Sequence, residues 1–372
     1  MFQRSAAPFL LGLGLFGLAS LPAAAAPYTL VTLGQLSGDT MSYAFGLNAS
    51  GQSTGFSGTS TSTPNQVMLW SASGSATALG TAGGTGTSGR GNAINNAGTI
   101  VGAGFNASGV NSPFKIVSGT MTMLTPLAGS TNAGATAINS SGTIVGYSNG
   151  TGLALRPVLW DPSGAVTNLG TLGGTSFSRA YGINDSGLVV GVSNTANGET
   201  RAFAWTSSGG MQNLGALPDG YTSYALAANA SGQIVGKGDD GNFDQALSWT
   251  SASAAPQVLA PLSGKTSGTA LAINSSGVIA GLSSVDGSAQ VATIWQNGTA
   301  IDLNSYLPAG SGWVLQSANN INDAGQIIGY GTYNGQTTAF LLTNEIPEPA
   351  TAALLGAGLL GLGLGLRRRA RG

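Results

Sequence analysis

The pattern Asn-x-x-Gly-x-x-x-Gly occurs seven times in this chain of 372 residues, beginning at Asn48, Asn95, Asn139, Asn184, Asn229, Asn274 and Asn322. Successive copies start 47, 44, 45, 45, 45 and 48 residues apart, and every copy keeps both glycines. A fixed period of this length means that one supersecondary unit is stacked repeatedly, so the unit decides the fold.

The unit reads as a tight hairpin. Asn favours the first position of a type I turn, where its side chain accepts a bond from the turn backbone. Gly favours the fourth, where φ is often positive and a bulge restores strand register. An apolar residue precedes each Asn (Leu47, Ile94, Ile138, Ile183, Ala228, Ile273, Ile321). The fourth residue before it is Ala in six copies and Gly91 in the other. β-branched pairs such as Ile144-Val145 and Val189-Val190 follow the turn, as strand formers do. A third strand ends at Trp70, Trp160, Trp205, Trp249 and Trp295, with Ile116 and Leu342 in the remaining copies. A fourth is marked by Leu79, Leu124, Leu169, Leu214, Leu259 and Leu303.

Four strands per repeat match one propeller blade, with a β-solenoid as the alternative. Helical repeats are excluded because each interior glycine would cost about 1 kcal/mol. The expected fold is all-β: a seven-bladed β-propeller of four-stranded antiparallel blades over residues 26–344. The phase of the repeats sets its closure. Residues 28–36 match a fourth strand and residues 339–342 a third, so the N-terminal strand should complete the last blade beside Phe340. Small residues before each Asn suit the crowded innermost strand. The tryptophans suit the wider gaps between sheets, each burying roughly 150–250 Å².

Composition narrows the chemistry. The chain has no cysteine and no histidine, which excludes disulfides, thiol nucleophiles, Ser-His-Asp triads and thiolate or imidazole metal sites. Residues 26–344 hold 7 basic against 11 acidic side chains, a net −4, so no nucleic-acid partner is expected.

Both ends read as addresses carried on apolar helical segments. Residues 1–25 resemble a secretory signal peptide. Arg4 comes first, then an apolar stretch over 8–21, then small residues that put signal peptidase cleavage before Ala26. Residues 345–372 contain Pro347-Glu348-Pro349, a charge-free run over 350–366, and the cluster Arg367, Arg368, Arg369 and Arg371. As a helix the run spans about 25 Å, slightly short for a hydrocarbon core, and its arginines stay cytoplasmic. This tail resembles a PEP-CTERM sorting signal. The resemblance implies a Gram-negative bacterium, transient membrane insertion of the C-terminal helix, processing by an exosortase, and a setting of exopolysaccharide and biofilm. A plain C-terminal membrane anchor is the alternative.

A second resemblance covers most of residues 28–343. The elements Leu169-Gly170-Thr171-Leu172-Gly173-Gly174, Ala180-Tyr181-Gly182-Ile183-Asn184 and Arg201-Ala202-Phe203-Ala204-Trp205 are similar to the extracellular HAF-repeat family. The His of that family's His-Ala-Phe element is replaced here by Arg201, and by Thr338 in the last copy. Any role of that imidazole is therefore lost.

Few residues suggest chemistry. Asp240-x-Asn242-x-Asp244, next to Asp239, has the alternating oxygen spacing of a calcium loop. Gln245 stands where an EF-hand needs Gly and no Glu closes the site, so a solvated hairpin turn is the favoured reading, with calcium as the candidate cofactor. Asp185 and Asp323 read as turn residues. Gly83-Gly84 and Gly173-Gly174 lack the lysine of a phosphate loop and read as inter-blade loops. No acid/base pair recurs at one blade position. The expected function is an exported, non-catalytic cell-surface or extracellular-matrix propeller that binds exopolysaccharide or protein partners. The alternatives are a secreted polysaccharide lyase or glycosidase, and a structural or adhesive spacer.

Overall fold

Each repeat forms one four-stranded antiparallel sheet, and seven sheets close into a ring. The computed structural model describes residues 28–61, 65–83, 88–149 and 154–344. The apolar helices expected at the two termini lie outside the described residues. Blade one runs Met41–Leu47, Ser53–Gly58, Asn65–Trp70 and Ala76–Gly80, from the central axis outward. The innermost strands of blades two to seven are Arg90–Ile94, Ala133–Ile138, Gly173–Ile183, Ser223–Ala228, Ser267–Ile273 and Trp313–Ile321.

The seventh blade is completed by the N-terminus. Tyr28–Leu33 pairs antiparallel with Gln336–Asn344, placing Thr32 opposite Phe340 and Leu33 opposite Ala339. Its sheet order puts the first strand of the chain outermost, beside the last. Strand pairing stops at Leu33, short of the expected residue 36, though Gln35 Nε2 still donates to Thr337 O, and the chain turns after Leu36 to enter blade one. Gly173-Gly174 also departs from expectation: it opens the eleven-residue innermost strand of blade four, with Gly173 paired to Thr195. A Cβ on Gly174 would run into the Asn194 backbone, so only glycine lets that strand begin so early.

The Asn turns show why the repeat is invariant. Each Asn N–H donates to the carbonyl four residues on, and its own carbonyl accepts from the first glycine, as in Gly51 N to Asn48 O at 3.1 Å. The first glycines all have φ between 76° and 85°, a region that favours Gly. The Asn Oδ1 accepts a backbone N–H four residues ahead in every copy, at 2.9–3.0 Å. With Oδ1 turned inward, Nδ2 faces the next blade and donates to the carbonyl of the next Asn. These bonds run Asn48 to Asn95 (3.3 Å), Asn95 to Asn139 (3.2 Å), Asn139 to Asn184 (3.3 Å) and Asn184 to Asn229 (2.8 Å). They continue Asn229 to Asn274 (3.1 Å), Asn274 to Asn322 (3.3 Å) and Asn322 back to Asn48 (3.0 Å). All seven side chains are buried.

The second glycines have a different reason. Each innermost strand carries a bulge after its small residue, at Ala44, Gly91, Ala135, Ala180, Ala225, Ala270 and Ala318. Those residues pair with Gly55, Gly102, Gly146, Gly191, Gly236, Gly281 and Gly329. At each of these glycines a Cβ would strike a carbonyl of the bulged strand.

Packing lies between blades. The seven buried clusters each join two neighbouring sheets, as where Leu33, Ile328 and Leu341 of blade seven meet Trp70 of blade one. Trp70, Trp160, Trp249 and Trp295 are fully buried, and their indoles reach the preceding blade's Gly34, Thr125, Leu214 and Ala260 carbonyls at 2.7–3.0 Å. Trp205 is half-buried against blade three.

Asn95→Asp keeps the Oδ1 acceptor but removes the donor to Asn139 O and sets an anion against that carbonyl. It should cost about 1–3 kcal/mol in urea denaturation, whereas a loss below ~0.5 kcal/mol would show that the inter-blade bond contributes little. Deleting residues 28–33 should lower the melting temperature by several degrees and yield oligomers on gel filtration, because the edge of Gln336–Asn344 is left open. A monomer of unchanged melting temperature would refute the closure.

Candidate functional site

Antiparallel order puts every Asn turn on one face of the ring and every connection between blades on the other. On the connection face each blade contributes one cross-strand pair just beyond its bulge. The seven pairs are Tyr43/Phe56, Arg90/Ala103, Gly134/Tyr147, Arg179/Val192, Tyr224/Lys237, Thr269/Leu282 and Ser317/Tyr330. Inside them, the bulge residues Phe45, Asn92, Thr136, Tyr181, Leu226, Leu271 and Asn319 line a central channel of about 320 Å³. Where the innermost strands hold the ring rigid, these positions differ from blade to blade. Together they make a funnel.

One arc of the funnel is aromatic and cationic. Tyr43 stacks on Phe56 with ring centroids 5.1 Å apart and meets Tyr330 at 4.7 Å and Phe45 at 6.2 Å. The Arg90 guanidinium carbon lies 5.2 Å from the Phe45 ring, and Arg90 Nε donates to Asn92 Oδ1 at 2.8 Å. Arg179 lies over Tyr147 at 4.1 Å and beside Tyr181 at 5.1 Å; Lys237 Nζ lies 5.5 Å from the Tyr224 ring. Such contacts are worth roughly 0.5–2 kcal/mol each. Gly134 makes the Tyr147 position possible, since a Cβ there would fall 2.8 Å from the tyrosine ring. Tyr147 Oη in turn accepts from Asn111 Nδ2 at 2.9 Å.

The electrostatics are uneven. Among the described residues the ion pairs are Arg201–Glu199 at 2.9 Å and Lys237–Asp244 at 2.7 Å, so Arg90 and Arg179 have no carboxylate partner. Arg179 Nε is buried without any hydrogen-bond partner. Desolvation of the Arg90 head by the atoms crowded around it, and then the nearby Arg179 charge, lower its pKa, although the residue is exposed and solvent weakens both effects. Burial likewise raises the phenols of Tyr181 and Tyr330. A side cavity of about 200 Å³ opens beside Arg90, lined also by Phe56, Phe105, Asn111 and Tyr147.

The residues singled out from sequence lie elsewhere. The seven Asn side chains hold the opposite face together. Asp185 and Asp323 do more than shape turns: Asp185 Oδ1 accepts from Ser140 N and Asp323 Oδ1 from Ser275 N, each at 2.8 Å and each from the preceding blade. Arg201 donates to Tyr221 O at 2.7 Å on the rim of a polar cleft of about 950 Å³ between blades four and five. Thr338 is buried and accepts from Gln35 Nε2 at 3.0 Å. Pro347, Glu348, Pro349, Arg367, Arg368 and Arg369 lie outside the described residues. Nothing in a single copy of the repeat marks the funnel residues. Laying the seven copies over one another does, because the positions five before and eight after each Asn vary beside invariant neighbours.

The family model for the PEP-CTERM protein-sorting motif matches residues 345–369. That motif implies an exported protein, held transiently at the membrane and processed by an exosortase. No curated protein matches the chain. Among solved structures it is similar to a Mycobacterium tuberculosis puromycin-hydrolyzing peptidase, 13% identical with a TM-score of 0.53, over 87% of this chain and 52% of that one. A puromycin hydrolase is 14% identical with a TM-score of 0.51, over 84% and 54% of the two chains. The chain thus spans about half the length of these structures, and at such identities the likeness is one of fold alone.

The calcium candidate is occupied by its own loop. Asp240 Oδ1 accepts from Asn242 N and Phe243 N at 2.9 and 2.8 Å, and Oδ2 from Gln245 Nε2 at 2.9 Å. These bonds hold its carboxyl below the usual range. Asp244 is taken by Lys237, and Asp239 accepts from Tyr221 N, Thr222 N and Thr222 Oγ1 at 2.6–2.8 Å. No group of three acidic side chains that could hold a metal stands among the described residues, and the three Asp carboxylates already have protein partners. Exchange from chelator into millimolar calcium should therefore move the melting temperature by no more than about 1 °C. A rise of several degrees would show a bound ion.

Proposed function

We propose that this exported protein is a non-catalytic binder, and that its propeller presents the funnel to an extracellular polysaccharide at the cell surface or in the matrix. The observation that carries this reading is the combination of aromatic rings, amide side chains and cations at the funnel mouth, converging from six blades on one opening. A polysaccharide offers what such a surface takes: hydroxyls for Asn92, Asn111 and Asn319, and apolar C–H faces for the aromatic rings. The PEP-CTERM motif and the resemblance to HAF-repeat proteins agree with an extracellular setting.

The lyase or glycosidase reading is less well supported. Glycoside hydrolysis uses two carboxyl groups about 5–9.5 Å apart, and the funnel's cross-strand pairs and bulge residues include no Asp or Glu. Asp239, two residues from Lys237, is tied to a loop, and Asp244 is paired with Lys237 itself.

The exported protein, recovered from the surface of the producing cells, should begin at Ala26 and yield no peptide from residues 350–372 by mass spectrometry. It should be retained by at least one extracellular polysaccharide in affinity electrophoresis while releasing no reducing sugar or unsaturated product. Product formation would move the assignment to an enzyme, and retention by no polysaccharide would leave a structural spacer.

A further inference from the structure

Five of the seven basic residues of the propeller have no ion pair among the described residues, and two of the five, Arg90 and Arg179, lie in the funnel. The propeller carries 7 basic and 11 acidic residues, so acids are abundant, yet Arg90 and Arg179 pair with none of those described. They sit on blades two and four, with Tyr147 of blade three between them, in contact with Arg179 and on the same cavity wall as Arg90. Arg179 is held by ring faces alone, and its Nε is buried with no acceptor. Arg90 is exposed with its Nε matched by Asn92, and Arg179 has a buried Nε without an acceptor, so the terminal nitrogens of both guanidinium groups are the donors left for a ligand's oxygens.

We propose that the funnel takes a carboxylate-bearing sugar, with Arg90 and Arg179 receiving carboxylates of an acidic polysaccharide, and this rests on the reading of the protein as a polysaccharide binder. The planar fork of a guanidinium matches a carboxylate in bidentate geometry, which distinguishes it from a point-charge ammonium. Sugar rather than an acidic peptide follows from the surroundings. Charge alone would serve a peptide, whereas here the cations are interleaved with ring faces and with the amides of Asn92 and Asn111. General attraction is not the source of binding, because the net −4 of the propeller repels polyanions and only the local arrangement opposes it.

The test compares polygalacturonate, its methyl ester and poly-glutamate as probes for the exported protein. The ester keeps the sugar backbone and masks the carboxylate; poly-glutamate keeps the carboxylate and removes the sugar. Polygalacturonate should bind about tenfold or more tightly than either, and its affinity should fall as salt rises. Arg90→Gln and Arg179→Gln should each weaken binding about tenfold, while Lys115→Gln, on a third strand away from the funnel, should stay within about twofold. The comparison of probes on the unaltered protein stands whether or not the arginine variants fold. Equal binding of the ester would overturn the carboxylate assignment and leave the polysaccharide reading in place. Equal binding of poly-glutamate would overturn the sugar assignment. Failure to bind any acidic or neutral polysaccharide would overturn both.

Discussion

One side chain per blade does two jobs at once, and the ring depends on it. The Asn carboxamide is the smallest group with an acceptor and a donor pointing in opposite directions. Its oxygen closes the hairpin that carries it, and its nitrogen satisfies a buried carbonyl on the next blade. Because the first task fixes which way the amide faces, the second is determined as well. An Asp would keep the turn and lose the neighbour; a Ser would be too short to reach. Leaving a buried carbonyl without its partner costs about 1–3 kcal/mol, so seven such positions make the repeat intolerant of change there. The bond from Asn322 to Asn48 spans 274 residues and makes the ring continuous in this layer, just as Tyr28–Leu33 does at the outer edge.

Close approach toward the axis explains most of the remaining composition. Seven innermost strands crowd one channel, and each has a bulge that throws a carbonyl toward its partner strand, so the residue opposite has no room for a Cβ. That demand, with the positive φ of the turns, accounts for much of the 61 glycines. Low charge has a related cause. Turns that use Asx oxygens to collect their own backbone N–H groups need few ionic side chains, as at Asn106, which accepts from Ser108 N and Val110 N at 3.0 Å. Asp161 does the same for Ala165 N at 3.0 Å, and the Ser163 hydroxyl and backbone bonds hold its carboxyl low.

What could be read from sequence and what could not divide along the same physical line. The turns were legible because identical chemistry recurs at a fixed spacing, and the closure because the phase of the repeats counts strands. The inter-blade half of the Asn bond was not, since its acceptor lies on the next copy and the pattern within one copy is already explained by the turn. The second glycine looked like a hairpin mark, yet its cause is the bulge opposite. Arg90 and Arg179 are 89 residues apart in sequence. Only the curvature of the ring brings blades two and four to the same mouth, and no local pattern encodes curvature.

The two faces therefore stand under opposite constraints. On the turn face every copy must be the same, because each blade's donor is cut to its neighbour's acceptor. On the connection face the cross-strand pair next to the bulge is carried by backbone bonds, so Tyr, Arg, Gly, Thr and Ser all occur at the position five before the Asn, with Gly134 required only where Tyr147 lies opposite. Rigidity at one end is what allows variety at the other. The variety is also not random in its chemistry: aromatic and cationic groups collect on blades seven and one to five, and the phenol of Tyr330 donates to Gln290 of blade six at 2.8 Å. A ring of identical parts thus acquires a single asymmetric opening, and a repeat protein needs such asymmetry to recognise one ligand in one orientation.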